Sequence, residues 1–466
     1  MKKIFKFLMI AAMALPLVAI SCNKEDETTK EEEQEEQKED TPKKKSDYEA
    51  PEVEKNPIVD YTKWEIKDGK FYLDGKWVFL KIGKPLINYA DPNAVNDLIS
   101  KLETYRQMHF NAMEFNCYWH HFDTDGDGVP DVSLEPLKKI IEATYNKGMY
   151  PCLTVETYSV GGGNMPSGFF EKYPDARAIA PTGKDVTDTE YGFGSAVVSI
   201  FHEQYRENVH TYIKSLASAI NTDHVLWFET TVEPQYMGAI PLCYSESARK
   251  EYNKWREENG ITDAASEMPT EFPISNTFQR NATWNKFRAQ FLAKWINEDA
   301  AAYRSVAGED AYVAVDYLET SNSEMYLRNG DSEEFLTHLT SPNIIQINWH
   351  FKNGTTHAYA YNMVKKIDKK YKRNWVIAEH MTLNGDDFNS YYSPTEASNK
   401  IFDLLDGTLK NGTRMGWEFT NIVNNSNNSF CVYDSNFKPK KGMKTVDDYW
   451  GWWMYRVQQI EEAQKN

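Results

Sequence analysis

Two glutamates carry the chemistry this chain is best equipped for. Glu233 lies near the end of residues 224–234, His-Val-Leu-Trp-Phe-Glu-Thr-Thr-Val-Glu-Pro. That run is rich in aromatic and β-branched residues and stops at a proline, which has no N–H to continue a ladder. Glu379 closes residues 375–380, Trp-Val-Ile-Ala-Glu-His, a shorter run of the same form. The C-terminal ends of barrel strands are where an α/β barrel displays catalytic groups. Two carboxylates on different strands, facing one cleft, suit acid-assisted sugar hydrolysis: one protonated to assist the leaving oxygen, the other ionised. Either one alone could equally be a salt-bridged barrel residue.

The rest of the chain has to bring these two together. Residues 70–78 form a predicted hairpin around an Asp74-Gly75 turn, leading into a first strand over 78–83. Strand and helix patterns then alternate, the signature of βα units and a parallel sheet. Helices are expected over 93–108, 134–147, 203–220, 278–306, 332–339, 358–371, 394–409 and 446–463. The strands between them fall at 111–117, 150–155, the Glu233 segment, 311–317, 344–349, the Glu379 segment and 414–419. Eight of each make a (β/α)8 TIM barrel, with Glu233 on the fourth strand and Glu379 on the seventh. A doubly wound open sheet would alternate similarly, but no Gly-rich phosphate turn follows the first strand.

Further residues gather at the same barrel end. Asn348, Trp349 and His350 close the sixth strand and could stack on and orient a sugar. Trp119, His120 and His121 follow the second strand, Tyr158 the third, and each either touches substrate or packs a loop. Glu156 and Glu418 are rival carboxylates on strands three and eight. Separately, Asp123-Thr-Asp125-Gly-Asp127-Gly-Val-Pro-Asp131 places carboxylates at loop positions one, three, five and nine, with glycine at six. That pattern matches a calcium loop and resembles the Asp-rich repeats of thrombospondin and dockerin modules. Leu134 replaces the bidentate glutamate at position twelve, so Glu135 or water would have to complete the shell. The alternative is a solvated acidic turn. No zinc-ligand spacing links the nearby histidines, and catalysis calls for no cofactor.

Composition narrows the partners. The 466 residues carry a net charge of −17, which argues against nucleic acid, since phosphate binding needs a basic face. Residues 1–21 have a basic start (Lys2, Lys3, Lys6), an apolar core over about 7–20 and a small residue before Cys22. Residues 22–56 are nearly all Glu, Lys, Asp, Gln and Thr, too polar to offset chain entropy, and read as an acidic disordered tether. Of the other cysteines, Cys117, Cys152, Cys243 and Cys431, the first two fall inside apolar strands, where a buried free thiol is the commoner state.

Several resemblances follow from these residues. Ala19-Ile20-Ser21-Cys22 resembles a lipobox, which implies a signal peptide over 1–21, cleavage before Cys22 and acylation of its thiol. Cleavage removes three lysines and takes the charge to about −20. Glu25, Asp26 and Glu27 resemble the surface-export signal of Bacteroidetes lipoproteins, implying an outer-membrane lipoprotein at the cell surface. The barrel resembles clan A glycoside hydrolases, the retaining β-glycosidases with acid/base and nucleophile on strands four and seven. The catalytic barrel of family 42 β-galactosidases is most similar. Tyr173-Pro174-Asp175, Gly183, residues 191–195 (Tyr-Gly-Phe-Gly-Ser) and Tyr205-Arg206 follow its third loop and helix. Trp227 followed by Glu233 resembles its fourth strand, and Trp417 stands where the clan has its eighth-strand Trp. The resemblance implies that Glu379 attacks the anomeric carbon and Glu233 serves as acid/base, with Trp119, His120, Tyr158, Asn348, Trp349, His350, Trp417 and Glu418 around the substrate. Val232 departs from it, since the clan carries Asn before the acid/base. The expected protein is thus a retaining β-glycosidase barrel over 57–466, acting on a poly- or oligosaccharide. The rivals are a glycan-binding lipoprotein on the same scaffold and a barrel hydrolase of another bond.

Overall fold

The computed structural model describes residues 64–107 except 68 and 74, then 110–158, 165–187, 196–236, 243–317, 332–350, 374–381 and 415–420, with Val423 and Asn436. Expectations for Cys22, for residues 1–56 and 191–195, for Cys431 and for helices over 358–371, 394–409 and 446–463 lie outside them.

Three antiparallel strands, β1 (Trp64–Lys67), β2 (Lys70–Leu73) and β3 (Lys76–Val78), form a small separate sheet. The predicted hairpin is its second half. Eight parallel strands then close a barrel: β4 (Leu80–Lys84), β5 (Ala112–Tyr118), β6 (Tyr150–Glu156), β7 (Trp227–Glu229), β8 (Val313–Tyr317), β9 (Ile344–His350), β10 (Asn374–Met381) and β11 (Gly416–Thr420). They stand in chain order, and β11 returns to β4. The TIM-barrel expectation holds.

Among the described residues the helices are α1 (Pro92–Gln107), α2 (Trp119–Phe122), α3 (Glu135–Asn146), α4 (Phe169–Lys172), α5 (Glu203–Ala219), α6 (Glu246–Glu258), α7 (Asn276–Gln279), α8 (Ala282–Ala307) and α9 (Ser332–His338). The single helix expected over 278–306 is two. Asn281 accepts the N–H groups of Thr283 and Trp284 and so starts α8 afresh. Helix α6 was not foreseen. Its buried stripe is Ala248, Tyr252 and Arg256, so a cation occupies the third position where the pattern needs an apolar residue.

Strand alternation sorts the side chains into two cores. One set, including Phe115, Val155, Phe228, Val315, Ile347 and Trp417, packs in the large cluster shared with the helices. The other set, Leu80, Ile82, Ala112, Cys152, Trp227, Ala314, Ile344 and Val376, fills the N-terminal half of the barrel. Phe71 of β2 joins that inner cluster, stacked on Trp227 at 6.1 Å and edge-on to Tyr312 at 5.8 Å. The small sheet therefore plugs the barrel's bottom and leaves the top for chemistry.

Behind the barrel, α5 and α8 enclose a buried acid. Asp299 is fully buried, and His210 Nε2 lies 3.3 Å from its Oδ1. Burial pushes the Asp299 carboxyl up from 3.8 to about 6 against the pull of His210. A carboxyl raised on folding stabilises at low pH, and that contribution is lost as pH rises from about 4 through about 6. Asp299→Asn cannot titrate. Its stability relative to wild type, measured by urea unfolding, should therefore improve by about 2 kcal/mol between pH 4.5 and pH 7.

Candidate active site

The fourth strand ends earlier than its apolar sequence suggests. Strand β7 covers only Trp227–Glu229, and Glu229, not Glu233, is its last residue. The Thr230 N–H still reaches Ala314 O at 3.1 Å, after which the ladder stops. At Glu233 the backbone turns to φ +45°, the positive φ found at no other described non-glycine residue. Strand geometry excludes that angle. Side chains from the two flanking strands hold the turn instead. Asp316 of β8 accepts the Glu233 N–H at 3.2 Å, and the Tyr158 hydroxyl, just past β6, donates to Glu233 O at 2.6 Å. Gln235 adds a long contact of 3.4 Å from Nε2 to Glu233 Oε2. The Glu233 side chain is nearly buried.

Glu379 occupies another irregularity. On β10, Ala378 pairs with Asn348 of β9, but the next pairing is Met381 with His350. Three residues on β10 thus answer two on β9, a bulge that takes in Glu379. Bulges of this kind re-aim a strand beside active sites.

Below the mouth lies a layer that the sequence analysis did not assemble. Lys84 Nζ lies 3.0 Å from Glu114, 3.4 Å from Glu418 and 3.6 Å from Glu229, all with fully buried side chains. Trp227 Nε1 donates to Glu114 at 2.9 Å, and Gln346 Nε2 reaches both Glu114 and Glu418 at 3.1 Å. The Thr154 hydroxyl lies 2.7 Å from both Glu114 and Glu229. One ammonium cannot hold three ionised carboxylates away from water. Burial raises the Glu229 carboxyl well above its ordinary range, helped by the charges of Glu114 and Asp316 and opposed by Lys84. At Glu114 burial also pushes upward, but Lys84 and the hydrogen bonds of Glu229 and Thr154 outweigh it and keep the group ionised. Of these two, Glu229 is the one whose surroundings favour the protonated form. Asn116 and Glu156 bond to each other at 2.6 Å two residues further along β5 and β6. The signal for this layer was present as single polar residues in apolar strands, such as Asp316 in Val-Ala-Val-Asp-Tyr and Gln346 in Ile-Ile-Gln-Ile-Asn.

Several expected substrate contacts are corrected. Trp119 is fully buried, bonded through Nε1 to Asp123 at 2.7 Å and packed on Phe169, Tyr205 and Tyr212. It is a core residue. Trp417 lies in the shell between strands and helices, because Gly416 and Glu418 take the inward parity of β11. Glu418 sits in the charged layer with Lys84. Tyr158 binds the backbone of the Glu233 turn and packs edge-on against Trp295. His120 is half-buried on α2, with its ring 4.2 Å from that of His121. Asn348, Trp349 and His350 end β9 as expected.

In the Asp-rich loop, oxygens of Asp123, Asp125 and Asp131 lie within 4.8 Å of one another, and Asp127 is not among them. The loop also satisfies itself. Asp123 accepts from Gly126 and Gly128 N–H as well as Trp119, Asp131 from the Thr124 backbone and hydroxyl, and Lys172 pairs with Asp125 at 2.8 Å. Cys117, Cys152 and Cys243 are buried free thiols.

Breaking the buried charge layer should separate its members. Glu229→Gln keeps the shape and donor of a neutral carboxyl and should cost under about 1.5 kcal/mol. Lys84→Met leaves ionised carboxylates unpaired and should cost about 3–5 kcal/mol. Denaturant unfolding of the two variants at neutral pH reads the difference.

The fold has counterparts among known proteins. The profile of glycoside hydrolase family 42, described as beta-galactosidase, matches residues 100–266. The cold-adapted β-galactosidase of Rahnella sp. R3 shares 13% identity at a TM-score of 0.62, over 82% of this chain and 57% of that one. A GH42 β-galactosidase of G. stearothermophilus shares 15% identity at a TM-score of 0.60, over 82% of this chain and 57% of that one. The catalytic domain of a β-amylase from Paenibacillus polymyxa shares 12% identity at a TM-score of 0.57, over 80% of this chain and 97% of that one. No curated protein sequence matches. This chain spans little more than half the length of those two galactosidases, and at such identities the structures speak for the fold alone. The closed eight-stranded parallel barrel is thus a TIM barrel, and its residues 100–266 match the glycoside hydrolase family 42 profile.

Proposed function

We propose that the chain is a retaining β-glycosidase that cleaves O-glycosidic bonds of a poly- or oligosaccharide by double displacement. Glu379 attacks the anomeric carbon while Glu233 donates a proton to the leaving oxygen. Glu233 then takes a proton from the water that releases the sugar. The observation that carries this reading is the Glu233 turn: a nearly buried carboxylate at positive φ, fixed from both neighbouring strands at the open end of the barrel. Strain held in this way collects at functional sites. The bulge at Glu379 on the seventh strand supports the second role.

A panel of aryl glycosides tests the proposal. Wild type should turn over at least one. Glu379→Gln should abolish turnover while leaving retention on a glycan affinity gel intact. Glu233→Ala should lose about 10²–10⁴-fold on substrates with poor leaving groups, and added azide should restore rate by standing in for the carboxylate. A wild type that binds glycans but cleaves none would favour the glycan-binding scaffold, to which Val232 in place of the clan's Asn already points.

Two further parts of the reading concern the periphery. The lipobox and the acids after Cys22 support a lipid-anchored protein at the outer membrane surface. The convergence of Asp123, Asp125 and Asp131 supports a structural calcium on the second βα loop, with Asp127 outside the ligand set. Calcium at 1 mM, on the order of ten times a weak-site dissociation constant, should raise the unfolding temperature of a chelator-treated sample. Asp131→Asn should remove the effect without changing turnover. An unchanged unfolding temperature would identify the loop as self-satisfied through Lys172 and its own N–H groups.

A further inference from the structure

The peptide around Glu233 is gripped on both faces, by a side chain of β8 and by one from the loop just past β6. Its N–H goes to Asp316 Oδ2 at 3.2 Å, and its C=O receives the Tyr158 hydroxyl at 2.6 Å. The same hydroxyl accepts the Gln235 N–H at 3.0 Å, so one phenol holds both ends of the 233–235 turn. Asp316 is fully buried and Tyr158 nearly so, its ring braced edge-on by Trp295 at 5.1 Å. A β-substituted residue keeps φ near +45° only when its surroundings over-determine it. Here the ladder has stopped at Thr230, and these two side chains hydrogen-bond the turn's backbone. Fixing both peptide groups that flank the Glu233 Cα fixes the direction of its Cβ, and with it where the carboxyl sits.

We infer that Asp316 and Tyr158 are positioning residues that aim the Glu233 carboxyl at the leaving-group oxygen without themselves touching substrate. This rests on Glu233 being the acid/base. A misplaced proton donor harms only bonds whose leaving group needs the proton. The inference therefore makes a claim about leaving groups that general loss of structure would not reproduce.

The test compares kcat/KM for phenyl and dinitrophenyl glycosides of a sugar the wild type hydrolyses. Asp316→Ala and Tyr158→Phe should each lose about 10²-fold on the phenyl glycoside, the scale of a displacement of about 1 Å. Each should lose less than about threefold on the dinitrophenyl glycoside, whose leaving group departs unprotonated. Asp316→Asn keeps an acceptor oxygen and should return most of the phenyl activity. Equal losses on both substrates, no loss on either, or failure of both Asp316→Ala and Tyr158→Phe to fold by circular dichroism would overturn the inference. Glu233→Ala separates the two claims. If it hydrolyses the phenyl glycoside normally, or if wild type cleaves no aryl glycoside, the acid/base reading falls and this inference with it. If it behaves as an azide-rescued acid/base variant while the clamp variants resemble wild type, only the clamp is wrong.

Discussion

The ladder between the fourth and fifth strands breaks after Thr230, and the site depends on what replaces it. A backbone that leaves a sheet must still satisfy its polar groups, since an orphaned buried N–H or C=O costs as much as a lost hydrogen bond. Here Asp316 and the Tyr158 hydroxyl supply the missing partners. They allow a conformation at Glu233 that no strand could hold. A regular fourth strand would carry Glu229 inward and then continue its alternation. The break lifts a second carboxylate to the barrel mouth four residues later.

Beneath that turn the barrel interior changes character along its axis. The N-terminal half is apolar and sealed by Phe71 from the small sheet. Trp227 spans the boundary, with its ring in the apolar half and its N–H on Glu114. Next come Lys84 and its three glutamates, bound to Thr154 and Gln346. A layer of this kind is costly to build and contributes little net stability. What it provides is an electrostatic floor fixed to six strands, with the charge of Asp316 helping to raise the Glu229 carboxyl.

Much of this was legible in the sequence, because period and turn chemistry are local signals. The barrel strands, the helices α1, α3, α5 and α9 and the convergence of three loop aspartates all follow from patterns within about a dozen residues. The failures share a different cause. The apolar run through Val232 says nothing about where pairing stops, since the stop depends on Asp316 and Tyr158, both more than seventy residues away. Trp119 was expected at the mouth because it follows a strand, and Trp417 because it stands where the clan has its eighth-strand Trp. Their true surroundings turn on a one-residue parity and on a hydrogen bond to Asp123. The charged layer joins Lys84 on the first barrel strand to Glu418 on the eighth, so no local pattern could assemble it. The strand that carries Glu379 follows from its apolar run, whereas the bulge that takes in Glu379 exists only in the pairing of β10 with β9.

In the proposed mechanism Glu233 and Glu379 serve one sugar, with Glu379 forming the bond to it. Trapping tests this most directly. A 2-deoxy-2-fluoro glycosyl fluoride of a hydrolysed sugar is incubated with the enzyme, and the labelled peptide is sequenced by mass spectrometry. The account predicts a single adduct on Glu379, accumulating faster than it is released. An adduct on Glu229, Glu418 or Glu156, or time-dependent inactivation with no carboxylate labelled, would contradict it.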